Sequence, residues 1–154
     1  MRKSMFWVST ILAFGLASSQ MILAQERNGL DGVWQVNVTV VDCTTGAPVR
    51  TVGSLQMFRH DGTFIETANG SNRGISEGIW HSAGWKTFDA VYWFYRYTAT
   101  GTFASLAKST DKITLGEDGQ FTASGLIQDF DATGALISTD CYTHTAKRLT
   151  APEW

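Results

Sequence analysis

From Gly32 onward, apolar and polar positions alternate in short runs rich in β-branched and aromatic residues, and no segment holds an apolar period of 3.6 for three turns. A period of two places successive side chains on opposite faces of a strand, so the pattern predicts an all-β chain. The runs are broken at Thr44-Thr45-Gly46, His60-Asp61-Gly62, 69–74, Ser82-Ala83-Gly84, 98–101, Glu117-Asp118-Gly119 and 131–134, each rich in residues that favour turns. Seven turns delimit eight strands, predicted at 32–42, 48–59, 63–68, 75–81, 86–97, 102–115, 120–129 and 135–149. Consecutive strands joined by short turns are antiparallel neighbours, and a meander of this length removes its exposed edges by closing on itself. The expected architecture is an eight-stranded antiparallel up-and-down barrel, with a β-sandwich as the alternative, because periodicity alone does not report closure.

One stretch departs from the general pattern. Residues 78–97, GIWHSAGWKTFDAVYWFYRY, carry eight aromatic side chains. Along the predicted strand, Val91, Trp93, Tyr95 and Tyr97 point to one side and Phe88, Ala90, Tyr92, Phe94 and Arg96 to the other. Both rows are apolar, yet a barrel strand has one inward face, so one row must meet a loop, a second copy of the chain or a ligand. Alternation separates the rows without saying which is inward. Trp80, Trp85, Trp93, Tyr95 and Tyr97 are the candidate ligand contacts, with Arg96 placed to meet a carboxylate or to pair with Asp89, Glu66 or Glu77.

The start of the chain reads differently. Arg2 and Lys3 precede an apolar stretch, and Ile22-Leu23-Ala24 offers a small-residue cleavage point, so residues 1–24 are expected to be a secretion signal rather than a retained membrane helix. Residues 25–154 are then expected to form one barrel domain, secreted or periplasmic and without a membrane anchor after cleavage. Loss of Arg2 and Lys3 takes the formal charge from −2 to about −4. No basic cluster follows Arg27, which removes the localised positive surface that nucleic acid requires. Cys43 and Cys141 are the two cysteines, and in an oxidising compartment such a pair is expected to bridge.

Gly32-Val33-Trp34 opens the first predicted strand and Arg148 lies in the last. This arrangement resembles the Gly-x-Trp motif and distal basic residue of the calycin barrels, the lipocalins, fatty-acid-binding proteins and avidins. The resemblance implies that Trp34 closes one barrel end with Arg148 packed across its indole. The register agrees: Trp34 facing Arg148 and Cys43 facing Cys141 have position sums of 182 and 184, one diagonal step apart. The chain departs from true lipocalins in its shorter length, in having no predicted helix after the last strand and in lacking Thr-Asp-Tyr between the sixth and seventh strands. The likeness is therefore to a short, exported, lipocalin-like barrel.

The functional expectation is a secreted protein that binds a small hydrophobic molecule in an aromatic cavity, with a homodimer contact on the remaining aromatic row. The alternatives are a barrel enzyme of the allene oxide cyclase type and an interaction module without a ligand. His60, His81 and His144 show no metal-ligand spacing, and no Gly-x-Ser-x-Gly elbow occurs, so neither a metal, another cofactor nor a catalytic residue is assigned. For the enzyme reading, the feature singled out is Glu66 or Glu77 beside His81.

Overall fold

The computed structural model describes residues 29–150; the expected secretion signal at 1–24 lies outside the described residues. Eight strands follow one another in chain order: β1 (Gly32–Val41), β2 (Pro48–Phe58), β3 (Thr63–Ala68), β4 (Ser76–Gly84), β5 (Thr87–Tyr97), β6 (Phe103–Leu115), β7 (Gln120–Phe130) and β8 (Leu136–Arg148). Each pairs antiparallel with the next, and β1 pairs with β8, so the sheet is a closed up-and-down barrel rather than a sandwich. Closure leaves no strand edge free to template another chain. The turns use the expected chemistry. At the β6–β7 hairpin both central residues, Asp118 and Gly119, have left-handed φ values of 55° and 66°, the geometry whose twist matches its flanking strands.

The β1–β8 seam runs from Trp34 opposite Arg148 to Val41 opposite Cys141 without a shift. Cys43 lies two residues beyond that last pair and reaches Cys141 diagonally. The cysteines are disulfide-bonded with their Cα atoms 5.1 Å apart. The seam is thus held covalently at one end and by Trp34 and Arg148 at the other.

That second end is sealed by aromatic packing. Trp34 is fully buried, its indole donates to the Leu30 carbonyl at 2.9 Å, and Phe121 meets it edge-on with ring centroids 4.8 Å apart. The Arg148 guanidinium lies 4.3 Å from the indole centroid and also donates to the backbone carbonyls of Gly29 and Asp31. Gly32 makes this possible. Its φ of 127° disfavours any side chain, and a Cβ there would sit 2.8 Å from Arg148 Nη1. Phe58, Trp80 and Phe88 extend the same cluster, with Trp80 donating to the Arg59 carbonyl at 2.9 Å.

Candidate functional site

The aromatic stretch resolves into an inner and an outer row. Phe88, Ala90, Tyr92 and Phe94 are buried inside the barrel, with Arg96 following them inward. Trp93, Tyr95 and Tyr97 lie on the outer wall, and Trp85 sits in the β4–β5 turn, 85% exposed. Cross-strand neighbours explain the choice. Trp93 stands between Glu77 on β4 and Lys108 on β6, whose charges require water, whereas Tyr92 stands between Gly78 and Ser109. Of the six candidate ligand contacts, Trp80 and Arg96 therefore face the interior, and Trp85, Trp93, Tyr95 and Tyr97 do not line it.

Arg96 does find a carboxylate, but on β7: its Nε donates to Asp129 Oδ1 at 2.8 Å, and Ser105 donates to the same oxygen. A second pair lies nearby. Residues 72–74 fold back along β5, with Gly74 donating to the Tyr95 carbonyl and Tyr97 to that of Asn72. From this segment Arg73 reaches into the barrel, where it donates to Glu66 Oε2 at 2.6 Å and to Ser76 Oγ. The two guanidinium groups lie 3.7 and 5.1 Å from the ring centroid of Phe94. This barrel end is consequently polar but charge-paired.

Between the two ends lies a buried polar layer contributed by five strands. Gln56 on β2 donates to Glu66 on β3 at 3.3 Å. Ser109 and Asp111 come from β6, and Tyr142 and His144 from β8. Tyr142 donates to Asp111 Oδ1 and lies 2.6 Å from Ser109 Oγ, while the Tyr92 hydroxyl lies beside Ser109 and Asp111. Asp111 Oδ2 is 3.6 Å from His144 Nδ1, and the His144 ring stacks on Tyr142 with centroids 4.8 Å apart. Both side chains of the Asp111–His144 pair are completely buried. Among the described residues, Gln56 Oε1, Asp111 Oδ2 and both His144 nitrogens in this layer have no hydrogen-bond partner, and Ser54 Oγ on β2 and Arg73 Nε are likewise unpaired.

Strands β6 and β8 are separated by β7, and Gly125 lets their side chains meet across it. A Cβ at Gly125 would lie 2.1 Å from the Thr110 carbonyl oxygen, 2.6 Å from the Tyr142 hydroxyl and 2.7 Å from Asp111 Oδ1. Because the nearest of these atoms is backbone, the strands themselves must shift to admit a methyl group. Gly125→Ala is expected to cost about 1–3 kcal/mol, the usual range for overpacking. It should also displace Tyr142, which urea denaturation together with near-ultraviolet circular dichroism will detect.

The acids in this layer titrate in opposite directions. Burial raises the pKa of Glu66, but the Arg73 guanidinium, the Ser76 hydroxyl, the Gln56 amide and His144 together outweigh it, and the net value falls below the ordinary 4.5. For Asp111 burial prevails over His144 and Tyr142, and the net value rises above 3.8. Burial also pushes the hydroxyls of Tyr92 and Tyr142 well above 10.0, so both remain protonated.

The signs of the resulting stability effects follow. Glu66, depressed in the folded state, contributes stability above about pH 4.5 that is lost as pH falls through its folded value. Glu66→Gln should therefore be clearly destabilising at neutral pH and progressively less so below pH 4.5. Asp111, raised in the folded state, lowers stability as pH climbs from 3.8 through its folded value. Asp111→Asn should gain on the parent protein over that interval. Urea midpoints between pH 3 and 8 read both, and parallel profiles for the two variants would contradict the assignment.

Sequence reasoning singled out Glu66 but paired it with the wrong histidine. His81 lies on the outer wall beside Asp89, and Glu77 is exposed; Glu66 instead feels His144 across the interior. Asp111, Tyr142 and Gln56 were not anticipated. The available signal was polar residues at inward positions between apolar ones, as in Ala107-x-Ser109-x-Asp111-x-Ile113 and Tyr142-x-His144-x-Ala146. Among the described residues, no group of three His, Cys, Asp or Glu side chains is arranged to hold a metal ion. On the outer wall, Gly53 leaves a depression of about 330 Å³ rimmed by Asn37, Leu55, Thr67 and Asn69, which includes none of Gln56, Glu66, Ser109, Asp111, Tyr142 and His144. No protein-family model matches the chain, and no curated protein matches its sequence.

Proposed function

We propose that this barrel is a calycin-like, exported binding protein that holds one small, mainly apolar molecule in its interior, with the polar end of that molecule against the layer around His144. The observation that carries the reading is a fully buried imidazole with neither nitrogen hydrogen-bonded among the described residues, beside an unpaired carboxylate oxygen, with a further unpaired amide oxygen on Gln56, the partner of Glu66. Buried polar groups are nearly always satisfied, and a set left open inside an eight-stranded barrel suits a ligand rather than a packed core. Phe64, Tyr92, Phe94, Val38 and Ile127 provide apolar surface around the interior, the division of labour common in small-molecule pockets. Both cysteines are joined to each other, so neither offers a thiol nucleophile, and Ser109 is engaged by Tyr142. Binding therefore accounts for the site better than covalent catalysis. The disulfide fits an extracellular or periplasmic setting.

The test is calorimetric and fluorescence titration with neutral naphthalene-sized aromatics, alongside mass spectrometry of molecules that co-purify with the protein. Binding should be saturable, weakened by Phe94→Ala inside the barrel and untouched by Trp93→Ala on its outer wall. The reading fails if no such probe binds at near-millimolar concentration and nothing co-purifies. It also fails if Trp93→Ala alone abolishes binding.

A further inference from the structure

Resting on that binding reading, we infer that the ligand is a neutral hydroxyl-bearing molecule, a phenol or an apolar alcohol, whose O–H is donated to His144 Nε2 or Gln56 Oε1. The inference comes from which valences in the polar layer are already used. Gln56 donates its amide N–H to Glu66, so its Oε1 is left as an acceptor. His144 has Nδ1 3.6 Å from Asp111 Oδ2, which favours the tautomer with the proton on Nδ1 and the lone pair on Nε2. Stacking against Tyr142 holds the ring in that plane. Apart from Ser54 Oγ and the Arg73 Nε–H, the atoms left open in the layer, His144 Nε2 and Gln56 Oε1, are acceptors, and they call for a ligand that donates.

Charge narrows the class further. An anionic ligand would need a free cation, but Arg73 is held by Glu66 and Arg96 by Asp129, and the same anion would face Glu66 and Asp111. A cationic ligand would need an ionised, unshared carboxylate. Glu66 is shared with Arg73, and Asp111 is shared between Tyr142, which donates to its Oδ1, and His144 beside its Oδ2. A neutral hydroxyl avoids both penalties, donating to one of the acceptors while its oxygen accepts from Ser54 Oγ or from the unpaired Arg73 Nε–H.

The experiment compares four probes of one shape at pH 7: 2-naphthol, 2-methoxynaphthalene, 2-naphthoate and 2-(aminomethyl)naphthalene. Calorimetry should show 2-naphthol binding about ten-fold tighter than 2-methoxynaphthalene, the scale of one well-formed buried hydrogen bond, with both charged probes weaker than either. His144→Phe, which keeps an aromatic ring against Tyr142, should bring 2-naphthol down to the affinity of 2-methoxynaphthalene. Gln56→Leu provides a second reading of the same loss if the first variant does not fold. Trp93→Ala should leave the ratio unchanged. Equal affinity for 2-naphthol and 2-methoxynaphthalene overturns the hydroxyl assignment while leaving a binding barrel in place. Tightest binding by the naphthoate or the amine overturns it in favour of that charge class. Failure of all four to bind removes the binding reading and this inference together.

Discussion

Reducing the Cys43–Cys141 bond, or replacing both residues with Ser, is expected to lower the unfolding free energy by several kcal/mol. The bond spans a sequence separation of 98 residues. In the chain-entropy view a loop of roughly that length restricts the unfolded ensemble by about 4.7 kcal/mol at 25 °C, an upper figure because residual structure in the reduced chain diminishes it. The location matters as much as the length. The bond lies just past Val41–Cys141, the last pair of the β1–β8 ladder, and ties the first strand to the last at the barrel end opposite Trp34. Urea denaturation with and without reductant, and of the double Ser variant, measures the effect. The midpoint should fall under reductant in the parent protein and stay fixed in the variant. An unchanged midpoint on reduction, or two titratable thiols in the unfolded but unreduced protein, would contradict it.

The eight strands, their order and the first-to-last pairing were legible because each rests on local information. Gly-rich turns mark the boundaries, period-two alternation marks the strands, and Trp34 with Arg148 and Cys43 with Cys141 share one register. The inward row of β5 was not legible, because alternation is symmetric with respect to the two faces of a sheet. The decision comes from Glu77 and Lys108, which flank Trp93 only after β4 and β6 are placed in register beside it. The polar layer was hidden for a related reason. Motif spacing looks for partners within one element, whereas Asp111 and Tyr142 come from strands separated by a third and meet because Gly125 has no side chain, with His144 stacked on Tyr142. Glu66 reaches its histidine across the barrel rather than along the chain. A mid-strand glycine such as Gly125 is the trace such a crossing leaves in a sequence, since a strand interior otherwise disfavours glycine.

Trp34→Ala is expected to cost about 3–5 kcal/mol, the range for truncating a buried large aromatic. Three contacts are lost at once: the edge of Phe121, the hydrogen bond to the Leu30 carbonyl and the face presented to Arg148. The cavity left behind cannot collapse easily, because β1 is paired on both sides at Trp34, with Gln56 on β2 and Arg148 on β8. Arg148→Ala should cost less than this and more than the loss of an exposed charge. It removes a cation–π contact of roughly 0.5–2 kcal/mol and leaves the carbonyls of Gly29 and Asp31 without their shared donor. Lys112→Ala, on the exposed face of β6, is the control for losing a cation alone. Urea midpoints should therefore fall in the order Lys112→Ala, Arg148→Ala, Trp34→Ala, with the last the least stable. The two arginine and tryptophan changes should also be less than additive when combined, since each removes one half of the same contact. If Arg148→Ala matches Lys112→Ala, or if the double variant loses the full sum, then Arg148 does not seal the barrel through the indole and the closed end is held by the aromatic cluster alone.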